Sequence, residues 1–401
     1  MDKKIYSSEI ERDIRSAVEN FEIVLREQVA RNQRMRAERE EKGAANKTGD
    51  PVPNPNRDKV IIGTAAGDGI GPIIMAEAER VLEAVLRDRL ASGSLVLKPI
   101  EGFTLENRLA AGKTVPDSVM SAMNECDVLL KGPTTTPNAA MNTANIESAN
   151  VYLRKSFDLF ANVRPVAIPE EGIDWTFFRE NTEGEYALGS KGEYITGELA
   201  VDFKVTTDEG TERIARAAYE YARANGKKRV SIVTKANIMK KTDGNFLNIC
   251  REVAKEYPEI ETDSWFIDIM AANLVNKDIR NNFQVFVLPN LYGDIITDEA
   301  AQIQGGVGTA GSANIGRNYA IFEAIHGSAP RMIEDGLGEY ANPSSLLKAA
   351  VMMLSHVGYR DESKRLEDAL EAADKELGPR MTGMAGGATC REYAELVMSR
   401  L

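Results

Sequence analysis

The stretch KVIIGTAAGDGIGPIIMAEAERVLEAVLRD, residues 59–88, contains the pattern that decides the fold class. Its first part, KVIIGTAAG, is a short apolar run, which predicts a buried strand. Pro72 then opens a helix, because proline is tolerated in the first helical turn. One face of this helix is apolar and comprises Ile74, Ala78, Val81, Leu82 and Val85. We therefore predict a strand followed directly by a helix.

The same alternation continues along the chain. Short apolar runs predict three further strands, at DVLLKGP (127–133), RVSIVTK (229–235) and FQVFVLPN (283–290). Two helices, closed by Gly226 and Pro258, are predicted at TERIARAAYEYARANG (211–226) and NFLNICREVAKEYP (245–258). Strands that alternate with helices indicate an α/β fold, whose sheet is parallel or mixed and covered on both faces.

Composition excludes several classes of protein. With 401 residues, 43% of them hydrophobic, the chain is long enough for two or three domain-sized units. Its 49 Lys+Arg and 61 Asp+Glu give a net charge of −12, which offers no broad positive field for nucleic acid or an anionic membrane. Three widely spaced cysteines fit neither a disulfide framework nor a zinc site: Cys126, Cys250 and Cys390. No apolar run is long enough for a membrane span, and the acidic start is unlike a targeting peptide, so we expect a cytoplasmic protein.

Residues 1–57 differ from the rest of the chain. Apolar residues at helical spacing predict a helix that continues to Gly43, and they are Ile10, Ile14, Val18, Phe21, Leu25 and Val29. The following AANKTGDPVPNPNRD (44–58) is rich in turn residues and predicts a linker. Two interpretations are open: a helix for oligomerisation or a partner, or a solvated helix packed on its own protein.

The loop GDGIGP (67–72) lies between the first predicted strand and its helix. Glycines there let backbone N–H groups approach an anionic ligand at the helix N-terminus. However, the spacing is not that of the dinucleotide fingerprint, and no acidic residue ends a second strand at the expected distance. A tight turn is therefore the preferred interpretation.

Two aspartates follow the last strong strand signal, in NLYGDIITDEAAQ (290–302). Asp294 and Asp298 are four residues apart, so on a helix both carboxylates would lie on one face. Paired oxygen ligands suit Mg²⁺ or Mn²⁺. An N-cap followed by a solvated acidic turn remains an alternative.

Other polar residues sit where chemistry is commonly found. In FRENTEGEY (178–186), Arg179 offers a fork for a carboxylate and Tyr186 a general acid, although an exposed charged turn is an alternative. Lys235 ends a strand, where sheets present functional groups, but it could also extend to water. His326 could contact a nucleotide, whereas His356 resembles a core or interface histidine.

Taken together, these motifs resemble the β-decarboxylating dehydrogenases, which act on isocitrate, homoisocitrate, 3-isopropylmalate or tartrate. The resemblance runs from about Val60 to the C-terminus and rests on NLYGDIITDEAAQIQGGVG and on ANIG, FEAIHGSAP and ANP. It implies a large cofactor domain from both chain ends (58–159 and 305–401) and a small substrate and dimerisation domain (160–304) with a clasp at about 184–207. It further implies a homodimer, or a higher homo-oligomer, with shared active sites.

Functional residues follow from the same resemblance. Tyr186 and a partner-subunit Lys235 would do the acid–base work, and Asp294, Asp298 and the partner's Asp268 would bind Mg²⁺ or Mn²⁺. The substrate would be held by Thr136, Ser148, Asn150, Arg154, Arg164 and Arg179. The coenzyme would contact Asn237, Glu323, His326, Gly327, Arg331 and Asn342.

Substrate and coenzyme choice rest on fewer positions. In NIESANVYLRKSFDLFANVR (145–164), Ser148 and Asn150 resemble the polar pair of isocitrate enzymes, which indicates oxidative decarboxylation of isocitrate. The alternatives are homoisocitrate, 3-isopropylmalate or, for Ser148, a helix cap. Arg331 and Met332 stand where the family selects its coenzyme, and the resemblance favours NAD over NADP. A non-catalytic regulatory subunit of a hetero-oligomer is the alternative of another class; the presence of all five acid–base and metal residues disfavours it.

Overall fold

The computed structural model describes residues 8–42, 59–137, 146–188, 191–306, 308 and 310–401. The predicted linker lies outside these residues. By its internal contacts the chain forms a smaller unit (Met1–Gly49 and Phe178–Ile295) and a larger unit (Asp50–Phe177 and Ile296–Leu401). The limits of the functional domains given above remain a prediction. Within the described residues, no helix is both long and apolar enough to cross a membrane.

Helices occur throughout the described residues. Their bounds are α1 (Ser8–Lys42), α2 (Gly71–Val85), α3 (Arg87–Ser92), α4 (Leu105–Ala111), α5 (Asp117–Asn124), α6 (Ala149–Ser156), α7 (Asp208–Ala224), α8 (Thr242–Ala254), α9 (Ile267–Val275), α10 (Asn290–Gln304), α11 (Pro330–Glu334), α12 (Ser344–His356), α13 (Arg360–Leu377) and α14 (Cys390–Arg400). The predicted α2 is confirmed, and its five apolar face residues are all buried. Helices α7 and α8 confirm the two other helix predictions.

Strands alternate with these helices. Their bounds are β1 (Val60–Ala65), β2 (Leu95–Pro99), β3 (Val128–Lys131), β4 (Ala161–Ile168), β5 (Ile173–Glu180), β6 (Glu193–Ile195), β7 (Leu199–Val201), β8 (Arg229–Thr234), β9 (Glu261–Phe266), β10 (Val285–Leu288), β11 (Gly311–Ile315) and β12 (Ala320–Ala324). The four apolar runs read from the sequence are β1, β3, β8 and β10. Each is short and largely buried, as a strand covered on both faces should be.

In the larger unit the strand order is β2-β1-β3-β12-β11-β4. The first four strands run parallel, whereas β11 runs antiparallel to both β12 and β4. The prediction of a parallel or mixed sheet is therefore confirmed. A core beneath this sheet contains Leu153 and Leu159, and Phe157 stacks on Tyr319 with ring centroids 4.2 Å apart.

In the smaller unit β10, β8 and β9 are parallel neighbours. The short strands β6 and β7 form a separate antiparallel hairpin. Because the carboxyl ends of parallel strands meet at one edge of a sheet, this arrangement places the residues that follow β8, β9 and β10 on the same side. Those residues include Lys235, Asp268 and Asn290.

Helix α1 confirms the predicted N-terminal helix but buries a different face. Ala17 and Val24 are buried, whereas Val18, Leu25 and Val29 of the predicted apolar stripe are 58%, 62% and 58% exposed. The helix packs on the smaller unit, where Phe21 meets Phe203 edge to face, with ring centroids 4.8 Å apart. The interpretation that α1 packs on its own protein is therefore correct for one face. Periodicity identifies apolar positions but not which of them find a partner within the chain.

Candidate active site

Arg179 is the most deeply buried charged side chain of the candidate site. It is the penultimate residue of β5, is 1% exposed, and donates from Nε and Nη2 to Asn290 Oδ1 at 2.9 and 2.7 Å. Its Nη1 pairs with the Asp294 carboxylate. A buried guanidinium needs such acceptors, since an unpaired buried charge is costly. The fork of Arg179 is thereby oriented by α10.

Tyr186 belongs to the same cluster. Its hydroxyl donates to Asp294 Oδ2 at 2.6 Å, and the Arg179 guanidinium lies 5.2 Å from its ring centroid. The segment from Arg179 to Tyr186 is largely buried, so the alternative of an exposed charged turn is wrong. Asp294 lies inside α10 rather than at its cap, so the N-cap alternative is wrong as well.

Gly293 makes the approach of Arg179 to α10 possible. A Cβ added there would lie 2.6 Å from Arg179 Cγ, which is closer than side chains pack. Any larger residue would push the arginine away from Asn290 and Asp294. The glycine in NLYGD therefore allows close packing of Arg179 on α10. The helix itself begins earlier, at Asn290, directly after Pro289 and the end of β10.

Lys235 and Asp268 form a second pair in the smaller unit. Lys235 Nζ lies 2.6 Å from Asp268 Oδ1, and this hydrogen bond keeps the pKa of Asp268 below its ordinary value. The backbone N–H of Lys235 donates to the buried Asp243 carboxylate at 2.7 Å. Asp243 in turn pairs with Lys204 at 2.6 Å. The lysine is held at its backbone by a buried ion pair and at its tip by an exposed carboxylate.

In the larger unit Arg164 pairs with two residues of α10, Thr297 and Asp298. Its Nη1 donates to Thr297 Oγ1 at 2.7 Å and to Asp298 Oδ1 at 2.8 Å. The arginine is buried, whereas the Asp298 side chain is 57% exposed. The carboxylate can therefore meet a ligand from solvent without uncovering the guanidinium.

Arg154 and Glu323 belong to a buried ionic cluster of the larger unit. Glu323 pairs with Lys131 at 2.8 Å and with Arg154 at 3.6 Å, and it accepts from Asn314 Nδ2 at 2.7 Å. Burial alone would raise the pKa of the Glu323 carboxyl, but the two cations outweigh burial and hold it at about 2. Glu323 therefore keeps its negative charge at any physiological pH.

A small depression, partly open to solvent, adjoins this cluster. It is lined by Lys131, Asn150, Leu153, Arg154, Leu159, Asn314, Ile321 and Glu323. The Nε of Arg154 is buried and has no hydrogen-bond partner among the described residues. A donor of this kind beside a depression suits an anionic ligand, which the overall negative charge of the chain would otherwise repel.

The polar pair that the sequence singled out lies at the start of α6. Ser148 occupies the N-cap position, but its side chain makes no capping hydrogen bond. Asn150 accepts a hydrogen bond from Thr134 Oγ1 at 3.1 Å. Helix capping therefore does not account for either side chain. Thr136, the other predicted substrate residue on this side, is exposed.

Four predicted coenzyme residues follow β12 in the larger unit. His326 Nε2 is buried without a hydrogen-bond partner among the described residues, and burial lowers the pKa of the imidazole. A Cβ on Gly327 would meet open space. Arg331 is exposed, and Asn342 accepts from the N–H of Ser344 at 2.9 Å. An imidazole nitrogen that has no partner in the described part of the chain, next to the uncrowded backbone of Gly327, fits contact with a nucleotide.

The loop GDGIGP is a tight turn, as preferred from the sequence. Gly67 and Gly69 have φ of 75° and 59°, values that favour glycine. Asp68 accepts from the N–H groups of Leu105 and Thr135 at 2.7 and 2.8 Å. The aspartate thus joins the turn to two neighbouring segments of the larger unit.

The aspartates of α10 offer a set of oxygen donors. Asp294 and Asp298 are one turn apart in a helix, as predicted, and carboxylate oxygens are the ligands that Mg²⁺ and Mn²⁺ prefer. In the part of the chain that the structure describes, no three His, Cys, Asp or Glu residues are grouped to hold a metal. The residues fit a hard divalent cation in chemical type, and their role remains a prediction.

Several partners of these residues were missed by sequence reasoning. Asn290 orients Arg179, Lys131 and Asn314 hold Glu323, and Thr297 meets Arg164. A lysine inside the apolar run VLLK was the one available signal, because a buried lysine requires a carboxylate. Nothing local distinguished the others. Asn237, two residues beyond Lys235, is exposed.

Comparisons with known proteins agree with these features. The isocitrate/isopropylmalate dehydrogenase family model matches residues 61–397. The mitochondrial NAD isocitrate dehydrogenase subunit 2 of Schizosaccharomyces pombe is 38% identical over 343 residues, covering 84% of this chain and 86% of that protein. The NADP isocitrate dehydrogenase of Rickettsia prowazekii is 40% identical over 313 residues, covering 76% and 61%.

A solved structure extends the similarity to three dimensions. The crystal structure of isocitrate dehydrogenase from Methylococcus capsulatus matches with a TM-score of 0.74 and 35% identity, covering 85% of this chain and 99% of that chain. The family match and the alignments to relatives extend over most of the sequence, and the family match includes every segment that carries a candidate site residue. Sequence, fold and site therefore agree that this chain belongs to the isocitrate/isopropylmalate dehydrogenase family.

Proposed function

We propose that this protein catalyses the metal-dependent oxidative decarboxylation of isocitrate to 2-oxoglutarate, with reduction of a nicotinamide coenzyme. The observation that carries the proposal is the cluster of Arg179, Tyr186 and Asp294. In this cluster a guanidinium and a phenol both contact one carboxylate, which supports the roles that we propose for them as carboxylate-binding fork, proton donor and cation ligand. The names of the relatives, which are isocitrate dehydrogenases, support the same substrate.

Binding of a trianion by an acidic protein requires local cations. Arg154, Arg164 and Arg179 are each largely buried and each already oriented by an acceptor. Preorganised guanidinium groups lose little freedom when they bind carboxylates in bidentate fashion. We assign the substrate carboxylates to these three residues.

The oxidation step removes a proton and a hydride from the alcohol. Lys235, paired with Asp268, is the group to which we assign the C2 hydroxyl proton; it accepts this proton as the neutral amine, after its own extra proton has passed to solvent. When bound, the cation supplies Lewis-acid polarisation of the substrate oxygens, and the coenzyme supplies the hydride acceptor. The product of this step is a β-keto acid, which can lose CO₂.

The decarboxylation step leaves an enolate that needs one proton at carbon. Tyr186 is the group to which we assign this proton, because Asp294 orients its hydroxyl and the buried Arg179 guanidinium lies 5.2 Å from its ring centroid. The phenolate that remains recovers its proton from solvent or from a neighbouring group. Protonation yields 2-oxoglutarate and completes the reaction.

Substrate selection is assigned to Ser148 and Asn150. Isocitrate carries a third carboxylate, which requires hydrogen-bond donors, whereas 3-isopropylmalate carries an apolar group. Homoisocitrate is an alternative, since one methylene is worth only about 1–3 kcal/mol of discrimination. For the coenzyme we propose NAD, with NADP as the alternative, because the relatives include proteins named for each. We also propose a homodimer, in which Lys235 and Asp268 serve the partner's site.

A steady-state assay of the purified protein tests this proposal. Isocitrate, homoisocitrate and 3-isopropylmalate are each combined with NAD or NADP in the presence of Mg²⁺. We expect the highest kcat/KM for isocitrate. A clear advantage for another acid would overturn the assignment of substrate. Protein that binds isocitrate but reduces neither coenzyme would instead be a non-catalytic subunit.

A further inference from the structure

Helix α1 is an addition to the region that defines the family. It ends at Lys42, whereas the family match begins at residue 61. In this protein α1 packs on the smaller unit through Ala17, Val24 and Phe21. The same unit contains Arg179 and Tyr186. The helix is therefore in a position to act on the candidate site from within the chain.

Arg31 is the residue through which α1 reaches that site. Its Nη1 donates to Glu183 Oε1 at 2.8 Å, and its Nη2 donates to Thr182 Oγ1 at 3.2 Å. The Arg31 side chain is 24% exposed and that of Glu183 is 3% exposed. Such a pair is much better shielded from water than a surface ion pair, so loss of the arginine would leave a buried carboxylate without its cation.

Glu183 organises the segment around it. Besides Arg31, its carboxylate accepts from the N–H and the hydroxyl of Thr207 at 2.8 and 2.5 Å. Gly210 makes room for it, because a Cβ there would lie 2.4 Å from Glu183 Oε1. The backbone carbonyl of Glu183 accepts from Asn290 Nδ2 at 2.9 Å, and Asn290 also orients Arg179.

A second buried carboxylate lies three residues earlier. Glu180 accepts from the N–H groups of Thr182 and Glu183 at 3.0 and 2.6 Å. Burial and the charge of Glu183 raise the pKa of Glu180 to about 7, against the opposing effect of Arg213. Two close acids inside the protein require cations, and Arg213 and Arg31 both donate to Thr182 between them.

We propose that Arg31 is a positioning residue, through which α1 fixes the segment between Arg179 and Tyr186 in its catalytic conformation. The expected effect of Arg31 on turnover rests on the proposed function. Its expected effect on the conformation of the segment does not. Arg179 has independent anchors on α10, whereas Tyr186 follows the segment directly and has the hydrogen bond to Asp294. Loss of Arg31 should therefore affect turnover more than substrate binding.

The test compares Arg31→Ala and Arg31→Lys with a matched control in the full-length protein. Arg26→Ala is the control, because Arg26 is 77% exposed on the same helix and pairs with Glu22. Hydrogen–deuterium exchange of the free protein is measured for residues 180–188 and 205–210. We expect exchange in both segments to rise at least severalfold in Arg31→Ala, to rise less in Arg31→Lys and to stay unchanged in Arg26→Ala.

Kinetics give the second readout. For Arg31→Ala we expect kcat with isocitrate to fall about 10-fold or more, with a much smaller change in KM, because a small misplacement of a catalytic group is costly. Added methylguanidinium should restore part of the loss in Arg31→Ala and have no effect on Arg26→Ala. Glu183→Gln combined with Arg31→Ala should lose less than Arg31→Ala alone, because the buried charge is then absent.

Two results would contradict the proposed role of Arg31. Exchange and kcat equal to those of Arg26→Ala would overturn the proposal. So would a uniform rise of exchange across the whole smaller unit in both Arg31 variants, since Arg31 would then act only on stability. If the unmodified protein reduces no coenzyme with isocitrate, the proposed function fails, while the exchange measurement still decides the role of Arg31.

Discussion

The hydroxyl of Tyr186 donates a hydrogen bond to the carboxylate of Asp294 at 2.6 Å, and Asp294 also pairs with Arg179. One carboxylate thus orients both a phenol and a guanidinium. In the proposed reaction the phenol is the proton donor and the carboxylate a cation ligand. Changes at these residues should therefore separate chemistry, cation binding and substrate binding.

Replacement of the phenol tests the acid role. Tyr186→Phe should lower kcat by about 100-fold or more, because positioned general acids contribute that much, while KM for isocitrate changes little. Steady-state kinetics give both values. Tyr257→Phe is the control, since the Tyr257 hydroxyl donates to a carboxylate, that of Glu220, outside the candidate site. Turnover equal to that of the unmodified enzyme would exclude Tyr186 as the acid.

Removal of one carboxylate tests cation binding. Asp294→Asn should weaken the apparent Mg²⁺ affinity by roughly 100-fold or more, since even an indirect partner of a ligand is worth 10–100-fold. Titration of activity with Mg²⁺ measures this, and excess chelator should abolish the activity of the unmodified enzyme. Asp278→Asn, at an exposed position, should behave normally. An unchanged Mg²⁺ requirement in Asp294→Asn would contradict the assignment.

Replacement of the polar pair at the start of α6 by apolar residues tests substrate selection. The double variant Ser148→Leu and Asn150→Leu should shift the ratio of kcat/KM for isocitrate over 3-isopropylmalate by at least about 10-fold toward the latter. The reason is that an apolar surface cannot satisfy a carboxylate. Ser156→Ala, at the exposed end of the same helix, is the control. No change in the ratio would remove Ser148 and Asn150 from the specificity pocket.

The buried ion pair behind Lys235 should contribute to stability. Lys204 pairs with Asp243 at 2.6 Å and Glu185 at 3.2 Å, and its ammonium lies 4.3 Å from the Tyr292 ring centroid. Lys204→Met should cost about 3–5 kcal/mol in the free energy of unfolding, because Asp243 is left buried and unpaired. Denaturant unfolding measures this. Lys255→Met, at a 69% exposed lysine, should cost little; equal losses would contradict the prediction.

His356 should make the fold sensitive to acid. Its ring lies 5.4 Å from that of Phe322, and burial lowers its pKa to about 4. The unfolded chain binds the proton first, so His356 stabilises the fold above pH 6.5 and this contribution is lost as the pH falls from 6.5 to 4. The free energy of unfolding, measured between these pH values, should fall more steeply for the unmodified protein than for His356→Gln. Parallel curves would exclude this contribution.

Local periodicity predicted the secondary structure well. The strand and helix of residues 59–88, the two helices closed by Gly226 and Pro258, and the short apolar strands all formed as expected. They did so because the spacing of apolar residues and the turn-forming residues are properties of neighbouring positions. The one-turn separation of Asp294 and Asp298 could be predicted for the same reason, because it depends only on local helix geometry.

Burial and pairing were decided only by the tertiary structure. The sequence determined that α1 is an amphipathic helix, but contacts with the smaller unit decided that Ala17 and Val24 are covered rather than Val18 and Leu25. It determined that residues 179–186 are mostly polar, but packing enclosed them. The pairing of Arg31 with Glu183, 152 residues away, has no local signature. A charge requires a partner when it is buried, and which partner it meets depends on how distant segments fold together.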